Sequence, residues 1–184
     1  MSLPHHIASP PILLRMFTLA DAPRVADLCG DWEVAQMTAL IPHPYSLEMA
    51  QSFITACREA CEVGPMPTYA IARAEDGALV GAIGITSTPE GGESLGYWVG
   101  RTHWGNGYAT AAGRAMLALA FSRLEIDAMT AIHLVRNPAS GRVMAKCGMT
   151  EVRREMRPHR GEVEEFRIWR IDAAGWERAA QRGC

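Results

Sequence analysis

No stretch of this sequence runs far enough without a charge to cross a bilayer. The longest charge-free helical run, near Ala115 to Ser122, falls well short of the ~20 apolar residues a span needs. The opening segment MSLPHHIASPPILLR has neither the basic start nor the long apolar core of an export signal, so neither export nor membrane anchoring is expected. Charge of one sign is not in excess either. A formal net charge of −2 argues against nucleic acid as the main partner, because such binding calls for a concentrated basic surface. The five cysteines, Cys29, Cys57, Cys61, Cys147 and Cys184, are odd in number and lack CxxC spacing, so they read as free thiols in a reducing, cytoplasmic compartment. Cys57 and Cys61, four apart beside Phe53 and Ile54, read as small apolar packing residues rather than a metal pair. His43, His103, His133 and His159 show no metal-ligand spacing, and no metal is expected.

What is present fits one folded domain. The 184 residues are 48% hydrophobic and 21% charged, a globular balance with enough chain for one sizeable core. The expected organisation is a flexible N-terminus over 1–10, with His5 and His6 in loose chain, a folded domain over 11–178 and a tail over 179–184. Ile12 to Phe17 alternates as a strand, and Thr18 to Asp21 forms a capping box before a helix near Ala20 to Cys29. Ser46 caps a helix that runs to about Glu62, where GPMPT stops it. TYAIAR and LVGAIGITS flank Glu75-Asp76-Gly77 as a hairpin, and ESLGYWVG supplies a further strand. An alanine-rich buried helix follows, then a strand over Ala128 to Val135; strand, helix and strand in that order predict a parallel pair. Asn137 and Pro138 open a helix to about Cys147, Gly148 ends it, and a hairpin with strands near 151–157 and 163–171 precedes a frayed helix. The fold class is mixed α/β.

The chemistry concentrates in LGYWVGRTHWGNGYATAAG, Leu95 to Gly113. Backbone amides at a helix start are unpaired donors at the positive end of the dipole, and a loop stripped of side chains by Gly105 and Gly107 lets a diphosphate reach them. The loop is not a Walker A motif, having no Gly-Lys-Ser/Thr, and Thr110 stands where a dinucleotide fingerprint needs its third glycine. A plain strand-to-helix turn accounts for the same glycines. A second capped helix in NPASGRVMAKCGM, Asn137 to Met149, brings another helix start to the same crevice. Asn137 also reads as a simple cap, Ser140 as an incidental polar residue, and Tyr97 and Trp98 as core aromatics on opposite strand faces.

Taken together, ILLRMFTLADA, LGYWVG, HWGNGYAT and NPASGRVMAKCGM resemble the GNAT superfamily of acyl-CoA N-acyltransferases, in the branch like the ribosomal-protein N-acetyltransferases RimJ and RimL. The likeness covers nearly the whole chain. It implies a central, mostly antiparallel twisted sheet whose single parallel pair splays around the CoA site, with helices on both faces. The family's Arg/Gln-x-x-Gly-x-Gly/Ala segment, which wraps the CoA pyrophosphate, is matched at Gly107 and Ala109, while Trp104 replaces its first residue. The resemblance implies a backbone cradle over Gly105, Asn106, Gly107, Tyr108, Ala109 and Thr110, and pairing of the pantetheine arm with Tyr97, Trp98 and Val99. It also implies that Asn137 and Ser140 approach the pantetheine and sulfur. Arg101, Arg136, Arg142 and Lys146 are the candidate cations for a 3′-phosphate, each of which also reads by itself as a solvated surface charge.

The activity implied is acetyl transfer from acetyl-CoA to a primary amine, a protein α-amino terminus above all, by direct attack. Ser140 is the implied proton donor to the leaving thiolate. Glu93 is the nearest carboxylate for the amine proton, although the family's acidic position aligns with Ser94, and a one-residue shift turns a strand side chain to the other face. A small-molecule acceptor (polyamine, amino acid or aminoglycoside) is the rival within enzymes, and a CoA-binding regulator without turnover is the rival outside them. Monomer and homodimer both remain open.

Overall fold

The computed structural model describes residues 3–63, 66–88 and 91–182; Gly64 and Pro65, read above as part of a helix stop, and Cys184 lie outside them. The chain begins with β1 (His6–Ser9) and β2 (Ile12–Arg15), a 3₁₀ turn over Leu19–Asp21, α1 (Ala22–Gly30), α2 (Trp32–Ala35) and α3 (Leu47–Val63). It continues with β3 (Thr68–Arg73), β4 (Leu79–Ser87), β5 (Glu93–Val99), α4 (Tyr108–Arg123) and β6 (Ala128–Leu134). It closes with α5 (Pro138–Lys146), β7 (Thr150–His159), β8 (Glu162–Asp172) and α6 (Ala173–Arg182).

The strands form one sheet in the order β1-β2-β3-β4-β5-β6-β8-β7, antiparallel throughout except for the parallel neighbours β5 and β6. Residues Leu79–Ile85 of β4 are buried on both faces, as a central strand covered by helices must be. One face packs under α4, whose Ala112, Met116, Leu117 and Ala120 join Ile71, Ile83, Leu95 and Met129 in the larger core. The helix is apolar around most of its circumference because α5 and α6 cover its other sides, with Trp176 of α6 stacked on Phe121. The opposite face carries α1 and α3, where Val25, Leu28 and Ile54 pack on Ala70 and Ala82.

Two features depart from the sequence reading. Residues 6–9, expected as loose chain, form the edge strand β1, with His6 opposite Arg15 and Ser9 opposite Ile12. Long-range contacts hold it there: Ile7 packs on the core, the Ser9 hydroxyl donates to the Ala111 carbonyl at 3.2 Å, and the Tyr69 hydroxyl donates to the Pro4 carbonyl at 2.8 Å. The short helix α2 is also new, started by an Asp31 carboxylate that accepts the Glu33 N–H at 2.9 Å.

The parallel pair is brief. β5 and β6 pair only at Glu93 with Met129 and Ser94 with Thr130. Beyond those residues β5 stays with β4 as far as Val99, and β6 stays with β8 as far as Leu134. The two strands therefore part, and a cleft opens in the middle of the sheet toward their C-terminal ends.

The capping box at the entrance to α1 is built around Asp21, which binds the Arg15 guanidinium through both oxygens at 2.7 and 2.8 Å and accepts the Thr18 N–H at 2.8 Å. Burial by itself would raise this carboxyl, but Arg15 and Thr18 hold it below the ordinary carboxylate range. With the folded value below the unfolded one, the stabilisation is complete above the unfolded value of about 4 and is lost as acid carries the pH below it. The native protein should therefore have a higher Tm than Asp21→Asn near neutrality, and the two Tm curves should converge as pH falls below about 4. Circular dichroism melts across that range check this, and parallel curves would show the pair to be silent.

Candidate functional site

The cleft has two helix starts at its open end because β5 and β6 are parallel, so the helices that follow each strand begin on the same edge of the sheet. From β5 the chain passes through Gly100 and a 3₁₀ turn over Arg101–His103 into Gly105-Asn106-Gly107. Gly105 and Gly107 have φ of +81° and +77°, a left-handed backbone that favours glycine, and a side chain at either would meet open space. No side chain caps α4, and its first intrahelical acceptor, the Gly107 carbonyl, takes the Ala111 N–H at 3.0 Å. The amides of Tyr108, Ala109 and Thr110 thus begin a long helix with no side chain among the described residues bonded to them.

The loop is held from behind. The Asn106 side-chain amide donates to the carbonyls of His103 and Trp104 at 3.1 and 3.3 Å, so this side chain braces the turn and leaves its outer face to the backbone. The Trp104 indole N–H donates to the Val99 carbonyl at 2.7 Å and pins the loop to the end of β5. A residue that reads in sequence as a lost polar side chain is here the loop's tether.

From β6 the chain turns into α5. Asn137 caps it, its side-chain oxygen accepting the Ser140 N–H at 3.2 Å, with Pro138 in the first turn. The far end closes with Gly148 N–H on the Ala145 carbonyl and Met149 N–H on the Met144 carbonyl, a Schellman pair. These two ends fix the rotation of α5 and set Ser140 over the cleft. There the Tyr97 hydroxyl from β5 lies 2.7 Å from Ser140 Oγ and 3.2 Å from the Ser140 carbonyl oxygen, spanning the gap between the parted strands.

Strand alternation sorts the rest. Leu95, Tyr97 and Val99 face the α4 core, and Trp98 faces the α1–α3 side. Glu93 shares the parity of Tyr97 but stands four residues earlier, about 13 Å along the strand and at the paired, closed end of the cleft. The structure brings Tyr97, Asn137 and Ser140 together and leaves Glu93 apart. Arg101, Arg142 and Lys146 are exposed. Arg136 is not available to a phosphate: its guanidinium binds Glu164 at 2.6 and 3.1 Å and donates to the Gln36 carbonyl and side chain.

That arginine belongs to a clamp the sequence did not disclose. The β7–β8 turn consists of Arg160 and Gly161, both with positive φ, +52° and +88°. Asparagine or glycine ordinarily occupies the first of these places. Arg160 instead uses the turn to donate to the carbonyls of Ala35 and Ile41 and to lie 5.3 Å over the Trp32 ring. Beside it His159 Nε2 sits 3.2 Å from the Gln36 carbonyl. The hairpin on the β6 side of the cleft is thereby tied to the α2 segment on the β5 side.

Residues 12–150 match the acetyltransferase (GNAT) domain family, and the chain belongs to it. A 55-residue stretch, 30% of this chain, is 46% identical to the uncharacterized protein YkkB of Bacillus subtilis and spans only 32% of that protein's length. Over 122 residues the chain is 25% identical to the uncharacterized N-acetyltransferase p20 of Bacillus licheniformis, covering 65% of this chain and 68% of the other. Among solved structures, RimJ of Mycobacterium smegmatis in complex with a CoA disulfide shares the fold, with TM-score 0.80, 21% identity, 94% of this chain covered and 89% of that one.

Two tests follow from this geometry. Cys147 is buried where α5 meets α4: its thiol points at the Thr110 carbonyl, a Cβ on Gly113 would come within 2.7 Å of its sulfur, and burial pushes it up to about 11. Cys147→Ala should keep full acetyltransferase activity while lowering stability by ~1–2 kcal/mol. A turnover loss of tenfold or more (a ΔΔG‡ of about 1.4 kcal/mol) in a variant that still melts cooperatively would place the thiol in the chemistry. For the clamp, Arg160→Asn suits the turn but removes the guanidinium. Its Tm should stay within a few degrees, while chymotryptic nicking between Met37 and Tyr45 accelerates severalfold; unchanged nicking would show that Arg160 does not hold that segment.

Proposed function

We propose that this chain transfers the acetyl group of acetyl-CoA to a primary amine, with the α-amino end of a protein as the acceptor. The observation that carries the reading is the parted β5–β6 pair with a bare, glycine-opened helix start at its mouth. The residues present fit the donor. The first amides of α4 suit a diphosphate, the free edge of β5 beyond Ser94 suits an amide-bearing arm that adds like a strand, and Ser140 stands where the arm would end. Acetyl-CoA supplies a thioester whose carbonyl can be attacked directly.

The chain's own groups then have separate tasks. Backbone N–H groups of Tyr97 to Val99 on the cleft edge polarise the carbonyl oxygen. Ser140 Oγ–H, at the positive end of α5, gives the departing sulfur its proton. Glu93 is too far along β5 to reach the nucleophile directly and acts on the amine proton only through water. The clamp roofs the cleft on the side opposite α4 and α5, and it is there that the acceptor enters.

Acetyl-CoA should raise Tm, and continue to raise it with the logarithm of its concentration above Kd, since it binds the folded cleft and not the unfolded chain. Gly107→Glu, which sets a carboxylate against the phosphates, should abolish that rise whatever it does to the ligand-free Tm. A retained rise would remove the cradle from α4. Turnover is then measured by thiol release with peptides bearing free α-amino ends, spermidine, lysine and kanamycin. Activity confined to the small amines would overturn the protein acceptor, and none with any amine would leave binding without transfer.

A further inference from the structure

The contact between Tyr97 and Ser140 determines where the serine proton points. A carbonyl oxygen can only accept, so the 3.2 Å approach of the Tyr97 hydroxyl to the Ser140 carbonyl directs the phenolic hydrogen toward Ser140. At 2.7 Å either oxygen can serve as donor: a phenolic hydrogen shared in a three-centre bond makes Ser140 Oγ the acceptor, whereas one given wholly to the carbonyl makes it the donor. In the three-centre arrangement Ser140 keeps its own hydrogen free. Without this neighbour, a serine in the first turn of a helix tends to fold its hydroxyl onto nearby backbone.

We infer that Tyr97 is a positioning residue for the acetyl transfer proposed above: its hydroxyl occupies a lone pair of Ser140 Oγ and turns the serine hydrogen into the cleft, toward the departing sulfur. The inference rests on the acetyl-transfer reading. As the amine nitrogen bonds to the acetyl carbon, the carbon–sulfur bond breaks and its electron pair goes to sulfur. Ser140 Oγ passes its proton to that sulfur, the nitrogen releases its surplus proton into the water that leads to Glu93, and the same water restores the proton of Ser140, so the products are the amide and the free thiol. Tyr97 keeps its proton throughout. Burial pushes its hydroxyl above the ordinary phenol value, against the smaller pull of the Ser140 bond, which keeps it a donor at neutral pH. Both partners are held firmly: Tyr97 by core packing and its register opposite Ile83, and Ser140 by the Asn137 cap.

The test is a double-mutant cycle on the single-turnover rate, using acetyl-CoA and the most active amine of the panel above. Tyr97→Phe removes one oxygen and keeps the ring, so the ligand-free Tm should stay within a few degrees. Its rate should fall about tenfold, with the acetyl-CoA Kd unchanged within about twofold. In the Ser140→Ala background the same substitution should cost nothing further, because the group it aims is gone. Full rate in Tyr97→Phe, or an equal fractional loss in both backgrounds, would overturn the inference and leave the acetyl-transfer reading standing. A native protein that turns over acetyl-CoA with no amine of the panel would overturn both, even with the Tm rise intact.

Discussion

The structure depends on two parallel strands that pair for two residues and then separate. Parting β5 from β6 in mid-sheet removes ladder hydrogen bonds from both, and unpaired backbone groups away from water are costly. The chain offsets this in three ways. Each arm keeps a complete antiparallel neighbour, β4 on one side and β8 on the other. On one face α4 and α5 pack together closely enough that a Cβ at residue 113 would come within 2.7 Å of the Cys147 sulfur. On the other face Arg160, His159 and Arg136 tie the hairpin to α2. The cleft is open because the molecule is fastened above and below it.

Local signals carried much of this fold. The Thr18 to Asp21 box, the Ser46 and Asn137 caps, the turn before Ala78 and the glycine stop at Gly148 each work over four or five residues, and each is found where the sequence places it. The parallel pair was legible too, since strand, helix and strand in succession leave few topologies. What stayed illegible is tertiary. β1 has no strong alternation and is held by Ala111, Tyr69 and Ile7 contacts spanning up to 102 residues. α2 has only four residues, too short for any periodicity to show.

The candidate site divides in the same way. Gly105, Gly107, Asn137 and Ser140 carry readable signals because their roles are written in helix-start chemistry. The partnership of Tyr97 with Ser140 does not, because it joins a strand face to a helix position 43 residues away. The clamp left one trace that could have been read: an arginine before the glycine of a two-residue hairpin turn. Arginine at positive φ gives up local preference, and such a concession is made where side-chain contacts elsewhere repay it. Here the repayment is two backbone carbonyls and the face of Trp32.

The helix α5 shows how one short element separates two side chains of similar reactivity. Ser140 and Cys147 lie on the same helix, seven residues apart, and taken in isolation a thiol gives up its proton far more readily than an alcohol. Position reverses the order of usefulness. Ser140 lies in the first turn, where free amides and the dipole favour developing negative charge, and its hydroxyl is engaged by Tyr97 across the cleft. Cys147 occupies the C-terminal cap at the negative end, facing a carbonyl in a buried seam whose low polarity opposes a thiolate. A proton donor needs a hydrogen near the reacting atoms more than it needs a low pKa. The geometry that buries the sulfur leaves the oxygen at the cleft, where the proposed direct transfer calls for a proton donor.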